Sequence, residues 1–274
     1  MLRNANIATY VWVGLLLLVI VAMVVVKLNT DFISEFTVAL SNPRVRFMTK
    51  EELQRLFALD RDRYVAGLSA VDLVARKAES ASGYLDMIQK AADDIGLSDQ
   101  SLLLQATKRA DALLSSSTRV PGFNGAKAAE IPWVFAKTKG RVYEGGMPHT
   151  RMSVVFITDE TLTQDENGLV STLVHEKVHL YQRLYPDDVF KYIQAFGYQI
   201  FKERLSEQLI RANPDVDPYI YLHPETKSPM GAFYVSGTPK GIKDVDFTPV
   251  DRPEYEHPFE MMAYGIADVL TKKG

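Results

Sequence analysis

The spacing of apolar and polar residues changes character several times along the chain. Residues 7–26 carry no charge and are mostly Val, Leu, Ile, Ala and Met. As a helix this run is about 30 Å long, the thickness of a bilayer's hydrocarbon core. Tyr10 and Trp12 lie near one end, and Arg3 and Lys27 bracket the run, as interfacial anchors do. It closes on Val24-Val25-Val26-Lys27 without a small-x-small cleavage site. Residues 1–27 are therefore expected to be an uncleaved single-pass transmembrane anchor. Arg3 and the α-amino group precede the span, while Lys27 is offset by Asp31 and Glu35. That balance leans the bulk of the chain to the non-cytoplasmic side.

Residues 28–48 read as an extended stalk, with Asn42-Pro43 breaking any helix. From 49 to 118 the period becomes helical. Thr49-Lys50-Glu51-Glu52 is a capping box opening a helix to about Leu68. Ser69 restarts the pattern, with Val71, Val74, Ala75, Ala78, Leu85 and Ile88 on one face, and Gly96 stops it. Ser98 caps a third helix carrying Leu102, Leu103, Ala106, Ala110, Leu113 and Leu114. Three amphipathic helices predict a small bundle over 49–118. After a Ser/Gly/Asn-rich stretch the pattern turns β-like at 131–135, 141–143 and 152–157, then helical from about Gly168 to Leu184 and around 187–211. Short strands near 219–222 and 232–235 precede a last helix beginning at Pro258. The fold class is therefore α+β: a domain at 119–274 with a small mixed sheet, preceded by the helical bundle and the anchor.

Composition removes several function classes. The net charge is −3 and no basic stripe is present, which excludes a nucleic-acid partner. There is no cysteine, so disulfides, thiolate nucleophiles and Cys-type metal sites are absent. Neither composition nor pattern fixes the oligomeric state.

The candidate chemistry lies at Leu173-Val174-His175-Glu176-Lys177-Val178-His179. Two histidines four apart on a helix share a face, so both imidazoles can reach one ion. Glu176 projects about 100° from His175, beside the ion rather than onto it. That is where a general base for zinc-activated water belongs. Calcium or iron is disfavoured, because paired imidazoles with one carboxylate suit zinc best. A buried pair of core histidines is the plain alternative.

His-Glu-x-x-His on a helix that follows a strand resembles the zincin metallopeptidases. Gln182 and Tyr185 stand where the metzincin branch carries Gly and a third His, and deformylase-type enzymes need a Cys. The chain thus looks like a gluzincin, a resemblance implying zinc held by His175, His179 and a later Glu. In Glu254-Tyr255-Glu256-His257-Pro258-Phe259-Glu260 the matching position is Glu260, with Glu256 and His257 as substitutes. The segments Gly146-Met147-Pro148-His149-Thr150-Arg151 and Arg211-Ala212-Asn213-Pro214-Asp215 resemble parts of zincin-like proteins of protists and large DNA viruses.

A zincin also needs a donor for the oxyanion. Tyr264, one turn after Glu260, is the first choice; His149, His223, Tyr234 and His257 are others. His149 precedes the strand 152–157, which is expected to be an edge that binds substrate by β-addition. Asp268 is a candidate to orient a ligand imidazole. The expected function is a membrane-anchored zinc hydrolase of peptide or protein substrates. The alternatives are a zinc hydrolase of other amides or esters, and a membrane scaffold, possibly viral, with a retained zinc site.

Overall fold

The computed structural model describes residues 44–117, 120–204 and 208–271. The expected anchor at 7–26 and most of the stalk lie outside them. Among the described residues, no helix is long and apolar enough to cross a membrane.

Mixed α and β elements are built around one sheet. In chain order these are β1 (Val45–Phe47), α1 (Lys50–Leu59), α2 (Ala70–Ala75), α3 (Ala81–Ala91), β2 (Ala92–Asp93), α4 (Leu97–Ser115), α5 (Gly125–Glu130) and β3 (Trp133–Thr138). Then come β4 (His149–Arg151), β5 (Val154–Ile157), α6 (Asp159–Leu162), α7 (Glu166–Leu184), α8 (Pro186–Phe196), β6 (Gln199–Glu203), β7 (Tyr219–Leu222), β8 (Gly231–Tyr234), β9 (Val245–Thr248) and α9 (Pro258–Thr271). The main sheet runs β1-β3-β5-β4, with β2 also pairing β3. β3 lies parallel to β1 and β5, while β4 is antiparallel to β5.

Every residue of β3 and β5 is buried, so the sheet needs cover on both faces. Alternation divides the work, because successive side chains leave a strand on opposite sides. Trp133, Phe135, Val155 and Ile157 join α4, α5, α7 and α9 in one core. Val134, Ala136, Val154 and Phe156 join Leu53, Phe57, Tyr84 and Ile88 of α1 and α3 in the other.

This arrangement corrects the expected organisation. The helices of 49–118 do not form a separate bundle: α1 and α3 cover one face of the sheet and α4 the other. The end of the expected stalk is strand β1 itself, and the described residues from Val45 onward form one compact unit. An amphipathic stripe shows that a helix faces a core without saying which one. Local differences follow from turn chemistry. The first helix stops at Leu59, where Asp60 takes φ 36°. Residues 141–143 form a turn, not a strand. The helix expected over 187–211 ends at Phe196 with Gly197 at φ 76°, and β6 follows.

A buried ionic network ties the first half of the chain to residues 211–215. Asp72 Oδ1 accepts the Ala212 N–H at 2.8 Å, and Arg76 Nη2 donates to the Ala212 carbonyl at 3.0 Å. Arg76 also pairs with Glu144 at 2.5 Å and Asp72 at 3.3 Å, and the Tyr84 hydroxyl donates to Glu144. Burial pulls the Glu144 carboxyl upward, but the Arg76 charge and its hydrogen bonds outweigh this and hold it below the ordinary carboxylate range. Its stabilising effect is therefore fully present above that range and is lost as pH falls through the depressed value. Glu144→Gln should cost about 3 kcal/mol in urea unfolding at pH 7, and the gap from the parent should close on acidification below about pH 4.

Candidate metal centre

The site is carried by two helices, α7 and α9, packed against one another in the larger core. Asp165 caps α7 by accepting the Gly168 N–H at 2.7 Å. Leu169, Val170, Leu173, Val174 and Val178 face the core. Lys177 sets the helix's rotation from behind. Its fully buried ammonium lies 3.6 Å from the Trp133 ring centroid, donates to the Ile131 carbonyl at 2.5 Å and sits 3.5 Å from Asp111. A charge so deeply placed needs those partners, so α7 cannot turn without breaking them.

With α7 fixed, His175 and His179 point to the same side. Their Nε2 atoms are 3.0 Å apart. α9 opens at Pro258 and places Glu260 in its first turn, with Oε2 at 3.3 Å from His175 Nε2 and 3.5 Å from His179 Nε2. Among the described residues, His175, His179 and Glu260 form the group whose ligand atoms could hold a metal ion. The spacing can be tested against an ion. Tetrahedral zinc with bonds of about 2.0–2.2 Å separates its ligand atoms by about 3.3–3.6 Å. The two imidazole–carboxylate separations fall in that range, and the imidazole pair is slightly closer. The donor set, two nitrogens and one oxygen, fits zinc and leaves a fourth position.

The ligand groups are themselves held. His179 Nδ1 meets Gln182 Oε1 at 2.8 Å, and Gln182 Nε2 donates to the Phe259 carbonyl at 3.0 Å. The Gln182 oxygen therefore accepts the proton on His179 Nδ1, leaving the Nε2 lone pair for an ion. Asn213 Nδ2 donates to Glu260 Oε1 at 2.8 Å, which leaves Oε2 toward the imidazoles. Burial disfavours charge on His179, yet Asp215 and Glu260 lift its pKa to about 9. Burial likewise opposes ionisation of Glu260, but His179 and His175 hold it well below the carboxylate range. Surroundings that retain a proton on an imidazole also favour a bound cation.

Glu176 sits beside this group at 2% exposure, and its Oε2 has no hydrogen-bond partner among the described residues. Burial first, then repulsion from Asp215 and Glu260, pushes its pKa well above the ordinary range. Such a carboxylate is a stronger base than an exposed one. Tyr264 sits on the rim, its ring 4.5 Å from that of His175. Burial and the nearby acids, Glu260 foremost, keep its phenol protonated, so it can donate.

The other candidates separate by their hydrogen bonds. Glu256 pairs with Arg211 at 2.6 Å. His257 accepts the Phe259 N–H and meets Asp217 at 3.2 Å, structural work at the start of α9. Tyr234 OH is spent on Asp72, and His223 accepts turn amides at Glu225 and Thr226. The task of orienting His179 falls to Gln182 rather than Asp268, which lines the cavity wall. His149 lies in β4, buried, and lines the same cavity of about 540 Å³ as His175, Glu176, Glu260 and Tyr264.

The expected edge strand is also corrected. Residues 154–157 are interior strand β5, and β4 is the edge, joined to β5 by a tight turn at Met152 with φ 55°. That edge is occupied. Asp215 Oδ1 accepts the Thr150 N–H at 2.6 Å and its hydroxyl at 2.7 Å, and Arg183 donates to the Thr150 carbonyl at 3.0 Å. Asn213, Asp215 and the orienting role of Gln182 were not foreseen from the residues. The only signals were the Arg211–Asp215 segment and the amide following the histidine pair.

The chain matches no family model, no curated protein and no solved structure. Gln182→Leu and Asn213→Leu should each weaken zinc binding by about 10–100-fold, read by competition with a chromophoric chelator, with the fold checked by circular dichroism.

Proposed function

We propose that this chain is a zinc-dependent hydrolase of amide bonds, of peptidase type, tethered to a membrane by residues 7–26 with its bulk on the non-cytoplasmic side. One observation carries the reading: three ligand atoms converge at 3.0, 3.3 and 3.5 Å beside a buried carboxylate whose Oε2 has no partner among the described residues. A site built only to hold an ion has no use for that second carboxylate.

His175, His179 and Glu260 would hold the zinc, which when bound supplies Lewis acidity toward water and a carbonyl oxygen. Glu176 takes the proton from the attacking water at Oε2 and returns it to the leaving nitrogen. Its raised basicity suits the first transfer, and its burial suits the second. Tyr264, protonated at neutral pH, donates its O–H to the oxygen on which charge develops. Gln182 and Asn213 hold ligand atoms in place, and the Lys177 contacts keep α7 from rotating.

Glu176→Gln should retain about one zinc per chain while losing about 10²–10⁴-fold in hydrolysis, whereas His175→Ala should lose the metal. Metal content by mass spectrometry beside turnover of a peptide-amide library checks both. Full activity in the Glu176→Gln protein would remove the hydrolase reading in favour of a zinc-bearing scaffold.

A further inference from the structure

The hydrolase reading leaves the substrate's size and mode of binding open, and two features of the cavity bear on them. The first is the closed edge. β4 is three residues long, and in its antiparallel pairing His149 and Arg151 lie opposite Phe156 and Val154 of β5. Thr150 is thus the residue whose N–H and C=O turn outward. Both are taken, by Asp215 at 2.6 Å and Arg183 at 3.0 Å. An extended polypeptide added alongside β4 would have to displace a buried carboxylate from two hydrogen bonds, leaving it unpaired at a large cost.

The second feature is His149. Its Nδ1 lies 2.9 Å from the Met147 carbonyl, and a carbonyl only accepts, so Nδ1 carries the proton. Nε2 is then a bare lone pair. Burial outweighs the attraction of Asp215 and Glu144 and keeps the ring neutral. Phe156 stacks on one face at 4.9 Å and Tyr143 meets it edge-on at 4.7 Å, so the ring is locked. Nε2 is buried and has no partner among the described residues, yet the residue lines the cavity. In this tautomer His149 cannot donate to an oxyanion. It is an acceptor awaiting a donor.

Resting on the zinc-hydrolase reading of the same site, we propose that the substrate is a short amide held wholly within the cavity, donating an N–H or O–H to His149 Nε2, and is not a polypeptide strand added to β4. The cavity's volume of about 540 Å³ suits a small molecule or a few residues. His149 is therefore a specificity-determining residue.

The test uses the zinc-loaded full chain with two substrate series: dipeptide amides and aminoacyl coumarinamides, and quenched-fluorescent decapeptides containing the same bonds. The short series should be cleaved with at least about tenfold higher kcat/KM. His149→Phe should raise KM for the short series about tenfold, the effect of one lost hydrogen bond to a buried acceptor, with a much smaller change in kcat and the same zinc content. His149→Gln, which restores an acceptor oxygen, should recover part of the loss. Decapeptides cleaved as well as the short series, or an unchanged KM in His149→Phe, would overturn the proposal while leaving the hydrolase reading intact. Zinc bound but neither series cleaved would overturn both. Independently of turnover, two-bond ¹H–¹⁵N spectra at neutral pH should show His149 protonated on Nδ1 alone, and a proton on Nε2 would count against it.

Discussion

Three electron-rich atoms, two imidazole nitrogens and a carboxylate oxygen, are pressed to within 3.5 Å of each other, and most of the chain's architecture serves that crowding. Without a cation or shared protons between them, such atoms repel. The apolar contact between α7 and α9 supplies the opposing force. Met262, Ala263 and Ile266 of α9 share a buried core with Leu173, Val174 and Val178 of α7, and burying the larger of these side chains is worth about 1.5–3 kcal/mol each. Behind α7, the Lys177 contacts to Trp133 and Ile131 remove the remaining freedom of rotation. The geometry at the centre is thus set from outside it, by packing and by one buried cation on the reverse face of the same helix.

How far the residues alone disclosed this depends on how local each feature is. The helix around His175 and His179 was legible because four-residue spacing acts within one element. Glu260 could be suggested because the gluzincin resemblance implies a Glu on a later helix, and Pro258 announces where that helix begins. The α+β class also followed from local patterning. The distribution of α1, α3 and α4 over two faces of the sheet did not, because nothing in an amphipathic stripe names its partner. Nor did the division of 149–157 into a hairpin, which turns on the left-handed conformation of Met152, a residue with no special liking for it. Gln182 and Asn213 escaped for a different reason. Amides occur throughout polar surfaces, and their roles here arise from contacts to His179 and Glu260, of which the second spans elements far apart in the chain.

The same contrast separates His149 from Tyr264, which began as rival candidates for one task. Hydrogen bonding divides them: the proton on His149 is committed to the Met147 carbonyl, while Tyr264 keeps a phenol beside the His175 ring. One can only accept and the other is free to donate. Two side chains lining one cavity thereby acquire opposite polarity toward whatever it holds.

The grip of Asp72 and Arg76 on the backbone of Ala212 has a consequence for how such a chain can diversify. Because the peptide group is held from both its N–H and its C=O, residues flanking the cavity are tuned from a helix roughly 140 positions upstream. The early helices are thus no exchangeable module. Recombination that swapped the first hundred residues for a different cover of the sheet would leave Asn213 and Asp215 without their fixed backbone, and inherited changes at Asp72 or Arg76 would have to be matched around 212. Divergence is freest instead at places such as strand β6, where every residue but Lys202 is exposed.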